Sequence, residues 1–324
     1  MSDLAKKDRK HLMLFAGRSH PQLAAQIATL LGTEIVPARM VTYANSEIYV
    51  RFEESVRGCD AFVLQAHCAP VNDQLMEQLI MIDALKRASA RRITVVSPFY
   101  PYARQDKKHA GREPISARLV ADLFWTAGAT RLMSVDLHAD QIQGFFSGPV
   151  DHLYGLPILS DYVRQKYDPN DLVIVSPDAG RVRTADKWSD KLGCPLAIIH
   201  KRRDPEVANT VAVHEVVGHV EGKTCLLVDD MIDTAGTICL AAEALKAHGA
   251  AKVITAVTHA VLSGPAAERL NRSAFEEVIV TNTLPIDPNV QIDKLTVLSI
   301  APLLAKAIKA VFDDGSVAAL MNDQ

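Results

Sequence analysis

The densest chemistry in this chain runs from Cys225 to Thr237, Cys-Leu-Leu-Val-Asp-Asp-Met-Ile-Asp-Thr-Ala-Gly-Thr. An apolar run ends in two acids, a small polar turn follows, and an amphipathic stretch begins at Ala235. Thr234, Gly236 and Thr237 at a helix start offer hydroxyls and unpaired backbone N–H groups to an anion, with the helix dipole adding to the attraction. In outline the segment is a phosphate cradle spanning Asp233, Thr234, Ala235, Gly236 and Thr237. The alternative is ordinary N-capping by Asp233 or Thr234. Asp229 and Asp230 are then left to grip something neutral and hydroxylated. Successive strand residues face opposite ways, so one acid can accept hydrogen bonds from a sugar diol while its neighbour orients the loop or a metal.

Other charged groups gather elsewhere. Arg104, Lys107, Lys108 and Arg112 place four cations in a Pro- and Gly-flanked loop, which suits a polyphosphate; the plainer reading is a solvated basic loop. Lys201 and Arg203 stand two apart after the apolar run Leu196–Ile199. On an extended chain both project to one side, as a pair that embraces a pentavalent phosphorus would. The alternative is a charge-rich turn. Asp178 follows the apolar run Leu172–Val175 and is a natural ligand for a hard cation. His138 follows Leu132–Val135 and reads on its own as a capping or packing residue, since Mg²⁺ prefers oxygen donors.

These groups need a scaffold, and short β-branched runs alternate with Ala-rich helical stretches. Leu12–Phe15, Ala61–Leu64, Ile93–Val96, Leu132–Val135, Leu172–Val175, Lys223–Val228 and Val253–Val257 read as strands; Pro21–Leu31, Gln74–Ser89, Ser116–Ala127 and Ala235–His248 read as helices. The rhythm predicts an α/β fold with mainly parallel, buried strands flanked by helices. Val135-Asp136-Leu137-His138-Ala139-Asp140 is echoed by Val228-Asp229-Asp230-Met231-Ile232-Asp233, which suggests two tandem domains of one fold. Turn residues cluster from Gly144 to Pro157, so the division is expected near residue 155: an N-terminal domain 1–155 and a C-terminal domain 156–324.

Composition excludes several classes. The chain has 324 residues, 48% of them hydrophobic, and a net charge of −3, which argues against generic adhesion to nucleic acid or an acidic membrane. Five cysteines with no C-x-x-C pair suggest neither a disulfide framework nor a structural zinc site, and a reducing cytoplasm fits best. No run approaches a membrane span, and the first ten residues show no export signal.

The segment Val228–Thr237 resembles the phosphoribosyl-diphosphate loop of the type I phosphoribosyltransferase fold. Three further segments, Tyr100–Lys108, Asp136–Phe146 and Ser176–Gly180, together with Tyr43–Glu47, Glu54–Gly58 and His200–Arg203, resemble signatures of the ribose-phosphate diphosphokinase family in the right order over most of the chain. The resemblance implies two phosphoribosyltransferase-like domains, each a mainly parallel sheet flanked by helices. It implies transfer of the β,γ-diphosphoryl group of Mg-ATP to the C1 hydroxyl of ribose 5-phosphate. It further implies that Arg104 and Gln105 contact ATP, with Tyr43, Asn45 and Glu47 reaching the adenine side from the neighbouring subunit of a dimer-based homo-oligomer, commonly a hexamer. By the same resemblance His138 and Asp178 are Mg²⁺ ligands, Lys201 and Arg203 are the catalytic cations of a flap, and Ser55, Arg57, Ser89 and Arg112 match an allosteric anion site.

The sequence departs from the resembled pattern at three places. Arg181 follows Gly180 where a second Gly is usual, and Asp140 and His152 stand where Ser and Asn are common. A side chain at 181 either crowds a close backbone approach or adds a phosphate contact. Two rivals remain: a non-catalytic, synthetase-associated regulatory subunit, and an ordinary phosphoribosyltransferase carrying an unrelated N-terminal domain.

Overall fold

A computed structural model describes residues 10–202 and 213–322. Backbone contacts divide the chain into two compact units, one up to Tyr154 and the other from Gly155 to Asn282 and Ile286 to Leu298, with Thr283–Pro285 and the chain from Ser299 onward belonging to the first.

The first unit contains β1 (Leu12–Ala16), α1 (Pro21–Leu31), β2 (Ala38–Thr42), β3 (Ile48–Phe52), β4 (Asp60–Leu64), α2 (Val71–Arg87), β5 (Arg92–Ser97), α3 (Ser116–Ala127), β6 (Arg131–Val135) and β7 (Val150–Leu153). Its sheet has the order β1-β4-β5-β6-β7, every neighbour parallel, while β2 and β3 form a separate antiparallel hairpin. Pro21 opens α1, where its missing N–H costs nothing, and Gly32 closes it at φ 65°. The core gathers Phe15, Val63, Val95 and Leu132 from the sheet against Ile82 and Phe124 from the helices.

The second unit contains α4 (Leu156–Lys166), β8 (Leu172–Ser176), α5 (Val182–Leu192), β9 (Leu196–Arg202), β10 (Val213–Val217), β11 (Thr224–Ile232), α6 (Gly236–Ala247), β12 (Lys252–Ala260), α7 (Ala266–Arg272), β13 (Glu277–Thr281) and β14 (Leu295–Leu298). The sheet order is β10-β9-β8-β11-β12-β13-β14, parallel except for the β9–β10 hairpin at one edge. Alternate residues serve two cores. Val173, Val175 and Leu227 pack with α6, while Ile174, Leu226 and Val228 pack with Leu159 of α4 and Trp188 of α5.

The expected division at residue 155 differs from the structure at the far end of the chain. Helices α8 (Ala301–Phe312) and α9 (Val317–Asn322) belong to the first unit, and α8 packs against α1. Leu303, Leu304, Ala307 and Ile308 bury one face of α8, and Ser299 donates to Gln26 at 2.7 Å. Asp314 pairs with Arg92 at 2.9 Å and with Lys10. This return is a long-range packing event with no local sequence signal.

Candidate functional site

Parallel strands deliver the residues that follow them to one edge of a sheet, where crevices open for ligands. In the second unit β8, β11 and β12 are adjacent and parallel, so Asp178 to Arg181, Asp229 to Asp233 and Val261 to Ser263 all lie at the carboxyl edge.

The acids sit inside β11 rather than after it. Asp229 stands opposite Val257, and pairing continues to Ile232 opposite Ala260. Ala235 then takes φ 60° at the N-cap position, where its methyl group offers no acceptor, and α6 starts at Gly236. The residue at the N-cap position is Ala235, neither Asp233 nor Thr234, and a helix start of this kind presents backbone N–H groups that suit an anion. Neighbouring backbone secures the turn, as Ser263 N–H donates to the Asp233 carbonyl at 2.9 Å and Val261 and Leu262 N–H both donate to the Ile232 carbonyl at 3.0 Å.

Two guanidinium groups frame this edge. Arg269 of α7 donates to the Thr234 carbonyl at 2.9 Å, and a Cβ at Gly236 would stand 3.1 Å from its Nη1. Sequence reading missed Arg269, because a basic residue in a short Ala-rich helix carries no motif. Arg181 reaches both acids, with Nε 3.1 Å from Asp229 Oδ1 and Nη2 2.7 Å from Asp230 Oδ1. Asp230 N–H donates to Asp229 Oδ1 at 2.8 Å. Removal from bulk water and the adjacent Asp230 push the Asp229 carboxyl well above the usual carboxylate range, against the pull of Arg181.

Asp178 follows β8 and accepts from the N–H groups of Gly180 at 2.8 Å and Arg181 at 3.1 Å through Oδ1, so it caps the turn Ala179–Arg181. Lys201 lies in β9 opposite His214 of β10, which bears out the extended chain expected there; Arg203 lies outside the described residues.

The first unit holds the remaining predicted residues. Tyr43, Asn45 and Glu47 form the exposed tip of the β2–β3 hairpin, where Tyr43 N–H donates to the Glu47 carbonyl at 2.8 Å and Ser46 takes φ 71°. The Tyr43 ring lies 6.2 Å from that of Tyr49. Arg104 and Gln105 are exposed in the loop before α3, and Ser116 donates to Gln105 Oε1 at 2.6 Å. His138 is half-buried in the turn after β6. The turn carrying Ser55 and Arg57 is tied to Ser89 through a 2.8 Å bond from Gly58 N–H to the Ser89 carbonyl, whereas Arg112 lies in the loop before α3. His152 Nε2 accepts from Leu137 N–H at 2.9 Å, and its Nδ1 is 3.9 Å from Asp140.

Among the described residues no group of three or more His, Cys, Asp or Glu side chains gathers as a metal site, and no helix is long and apolar enough to cross a membrane. All five cysteines are free thiols.

The family model for the N-terminal domain of ribose phosphate pyrophosphokinase matches residues 12–128, and that for the phosphoribosyl synthetase-associated domain matches residues 205–322. The ribose-phosphate pyrophosphokinase of Streptomyces coelicolor is 62% identical over 324 residues, all of both chains. That of Mycobacterium tuberculosis is 63% identical over 316 residues, 97% of each. The crystal structure of phosphoribosylpyrophosphate synthetase from Mycobacterium smegmatis superposes with a TM-score of 0.90 at 62% identity, covering 94% of this chain and all of that one. Matching in sequence along its full length and in fold along nearly all of it, the chain belongs to the ribose-phosphate pyrophosphokinase family.

Proposed function

We propose that the chain transfers the β,γ-diphosphoryl group of Mg-ATP to the C1 hydroxyl of ribose 5-phosphate, giving AMP and 5-phosphoribosyl 1-diphosphate. The observation that carries this reading is the start of α6, with left-handed Ala235 before it, beside the acid pair of β11, in a chain of this family. Asp233, Thr234, Ala235, Gly236 and Thr237 receive the 5-phosphate, and Asp229 and Asp230 accept from the sugar hydroxyls. Arg104 and Gln105 orient the nucleotide, with Tyr43, Asn45 and Glu47 supplied by a neighbouring subunit of a dimer-based homo-oligomer, a hexamer by resemblance.

The sugar C1 oxygen forms a bond to the β-phosphorus while the bond from that phosphorus to the α,β-bridging oxygen breaks. AMP leaves with the bridging oxygen, and the hydroxyl proton passes to water. Lys201 and Arg203 neutralise charge that grows on the transferring group, so the protein acts by positioning and electrostatics.

Asp178 suits a Mg²⁺ site. Its two capping bonds both run to Oδ1, and Mg²⁺ is commonly held by one or two carboxylates together with substrate phosphates and water. His138 joins it on the resemblance alone. Bound there, the ion supplies neutralisation of diphosphoryl charge. Ser55, Arg57, Ser89 and Arg112 are assigned to an allosteric anion site, which the acid Asp140 weakens. The protein acts in the cytoplasm.

The reading is tested by incubating the chain with ribose 5-phosphate, ATP and Mg²⁺, with and without inorganic phosphate. AMP and phosphoribosyl diphosphate in equal amounts are expected. Binding of both substrates with neither product would place the regulatory-subunit reading first.

A further inference from the structure

Arg181 sits at the end of the turn Ala179–Arg181, its backbone N–H held by Asp178 Oδ1 at 3.1 Å and its side chain mostly buried. A guanidinium usually engages one carboxylate with two parallel bonds. Here one guanidinium spans two carboxylates from consecutive strand residues, reaching Asp229 Oδ1 with Nε and Asp230 Oδ1 with Nη2. Consecutive side chains on a strand point to opposite faces, so a single rigid group touching both constrains the rotamers of both. Both contacts run to Oδ1 oxygens, so the bridge itself leaves the Oδ2 oxygens of the pair for hydroxyls.

We infer that Arg181 is the positioning residue of the sugar-hydroxyl subsite, holding Asp229 and Asp230 in the one arrangement that reads a cis-diol on a sugar phosphate. The inference rests on the assignment of these acids to ribose 5-phosphate. Its physical content is electrostatic. Two adjacent acids shielded from water repel each other, and without the guanidinium that touches both they are free to separate, so the acceptor geometry is lost. A lysine restores charge but not the bridge, because an ammonium is a point charge rather than a planar fork. A site built to bond a hydroxyl rejects a substrate that lacks it, and this rejection is what Arg181 supports.

The test uses the full chain with Arg181→Gln and Arg181→Lys, comparing kcat/KM for ribose 5-phosphate with that for 2-deoxyribose 5-phosphate, and the KM for ATP. The wild-type chain is expected to prefer the ribose compound. In Arg181→Gln that preference shrinks by about tenfold or more and KM for ribose 5-phosphate rises, while KM for ATP stays within about twofold; Arg181→Lys falls between. A purely structural loss would lower both sugar phosphates equally. An unchanged preference in either folded variant, or a lower KM for ribose 5-phosphate in Arg181→Gln, overturns the assignment. The latter outcome would make Arg181 a plug that substrate must displace. Absence of product from the wild-type chain would instead refute the diphosphotransferase reading.

Discussion

Two segments of similar lettering meet different fates. Val135-Asp136-Leu137-His138-Ala139-Asp140 in the first unit leaves its strand at Val135, and Asp136 turns to φ 37°. Leu137 N–H is taken by His152, and a 3-10 turn begins at Asp140. Val228-Asp229-Asp230-Met231-Ile232-Asp233 in the second unit stays extended to Ile232 and then turns through Asp233, Thr234 and Ala235 into α6. The neighbouring strands decide the difference. β12 runs alongside as far as Ala260 and pairs past both acids, whereas β7 ends at Leu153 and β5 at Ser97. An acid stays in an extended ladder when a partner strand outlasts it; where β7 ends, its His152 side chain takes the next N–H instead.

The contrast can be broken most severely at the β9–β10 hairpin, an antiparallel edge that the first sheet, all parallel, does not share. Lys201→Ala is expected to lower kcat by about 10³-fold with little change in thermal stability, because charge clamps of this kind act mainly in the transition state. Near-normal turnover would remove Lys201 from the mechanism.

Acid should separate the units next. Burial pushes His67, in the first unit, down to about 4, against its contact with the Phe99 carbonyl. The unfolded chain therefore binds more protons between pH 6.5 and about 4, and stability present above pH 6.5 falls by about 3 kcal/mol across that window. In the second unit burial pushes Glu277 up, but bonds from Lys166, Tyr162, Tyr167 and Thr296 outweigh it and hold the carboxyl at about 2. Its contribution is present above about pH 4.5 and lost toward pH 2. Each unit carries one tryptophan, Trp125 and Trp188, so Trp188→Phe and Trp125→Phe leave a single reporter for each. Fluorescence on acidification should show the first unit losing structure at higher pH, and coincident transitions would contradict the comparison.

The smallest effect lies at Ala235. A left-handed residue with a Cβ costs about 1 kcal/mol that glycine avoids, so Ala235→Gly should raise the thermal midpoint of the Trp188 signal slightly. A clear loss of stability would mean that the buried Ala235 methyl contributes more by packing than its backbone costs.

Local signals were legible where packing agreed with them. Pro21–Leu31 and Ser116–Ala127 form helices with the bounds their sequence suggests, each closed by a glycine of positive φ. The turn between β11 and α6 was legible because its residue chemistry is local. The continuation of β11 beyond the two acids to Ile232 was not, since it depends on pairing with β12. The β2–β3 hairpin escaped because its strands are half-exposed and mix Arg39 and Arg51 with apolar residues. Arg181 was visible as an unusual residue, but its partners lie about fifty positions away on another strand and were set by the fold.

The central claim, that the β11–α6 edge and not its first-unit echo receives the sugar phosphate, is tested most directly by KM for ribose 5-phosphate in Asp233→Ala and Asp136→Ala. The account predicts a rise of about tenfold or more for Asp233→Ala and less than about threefold for Asp136→Ala, with KM for ATP unchanged by Asp233→Ala. Equal effects, or an unchanged value in Asp233→Ala, would contradict it.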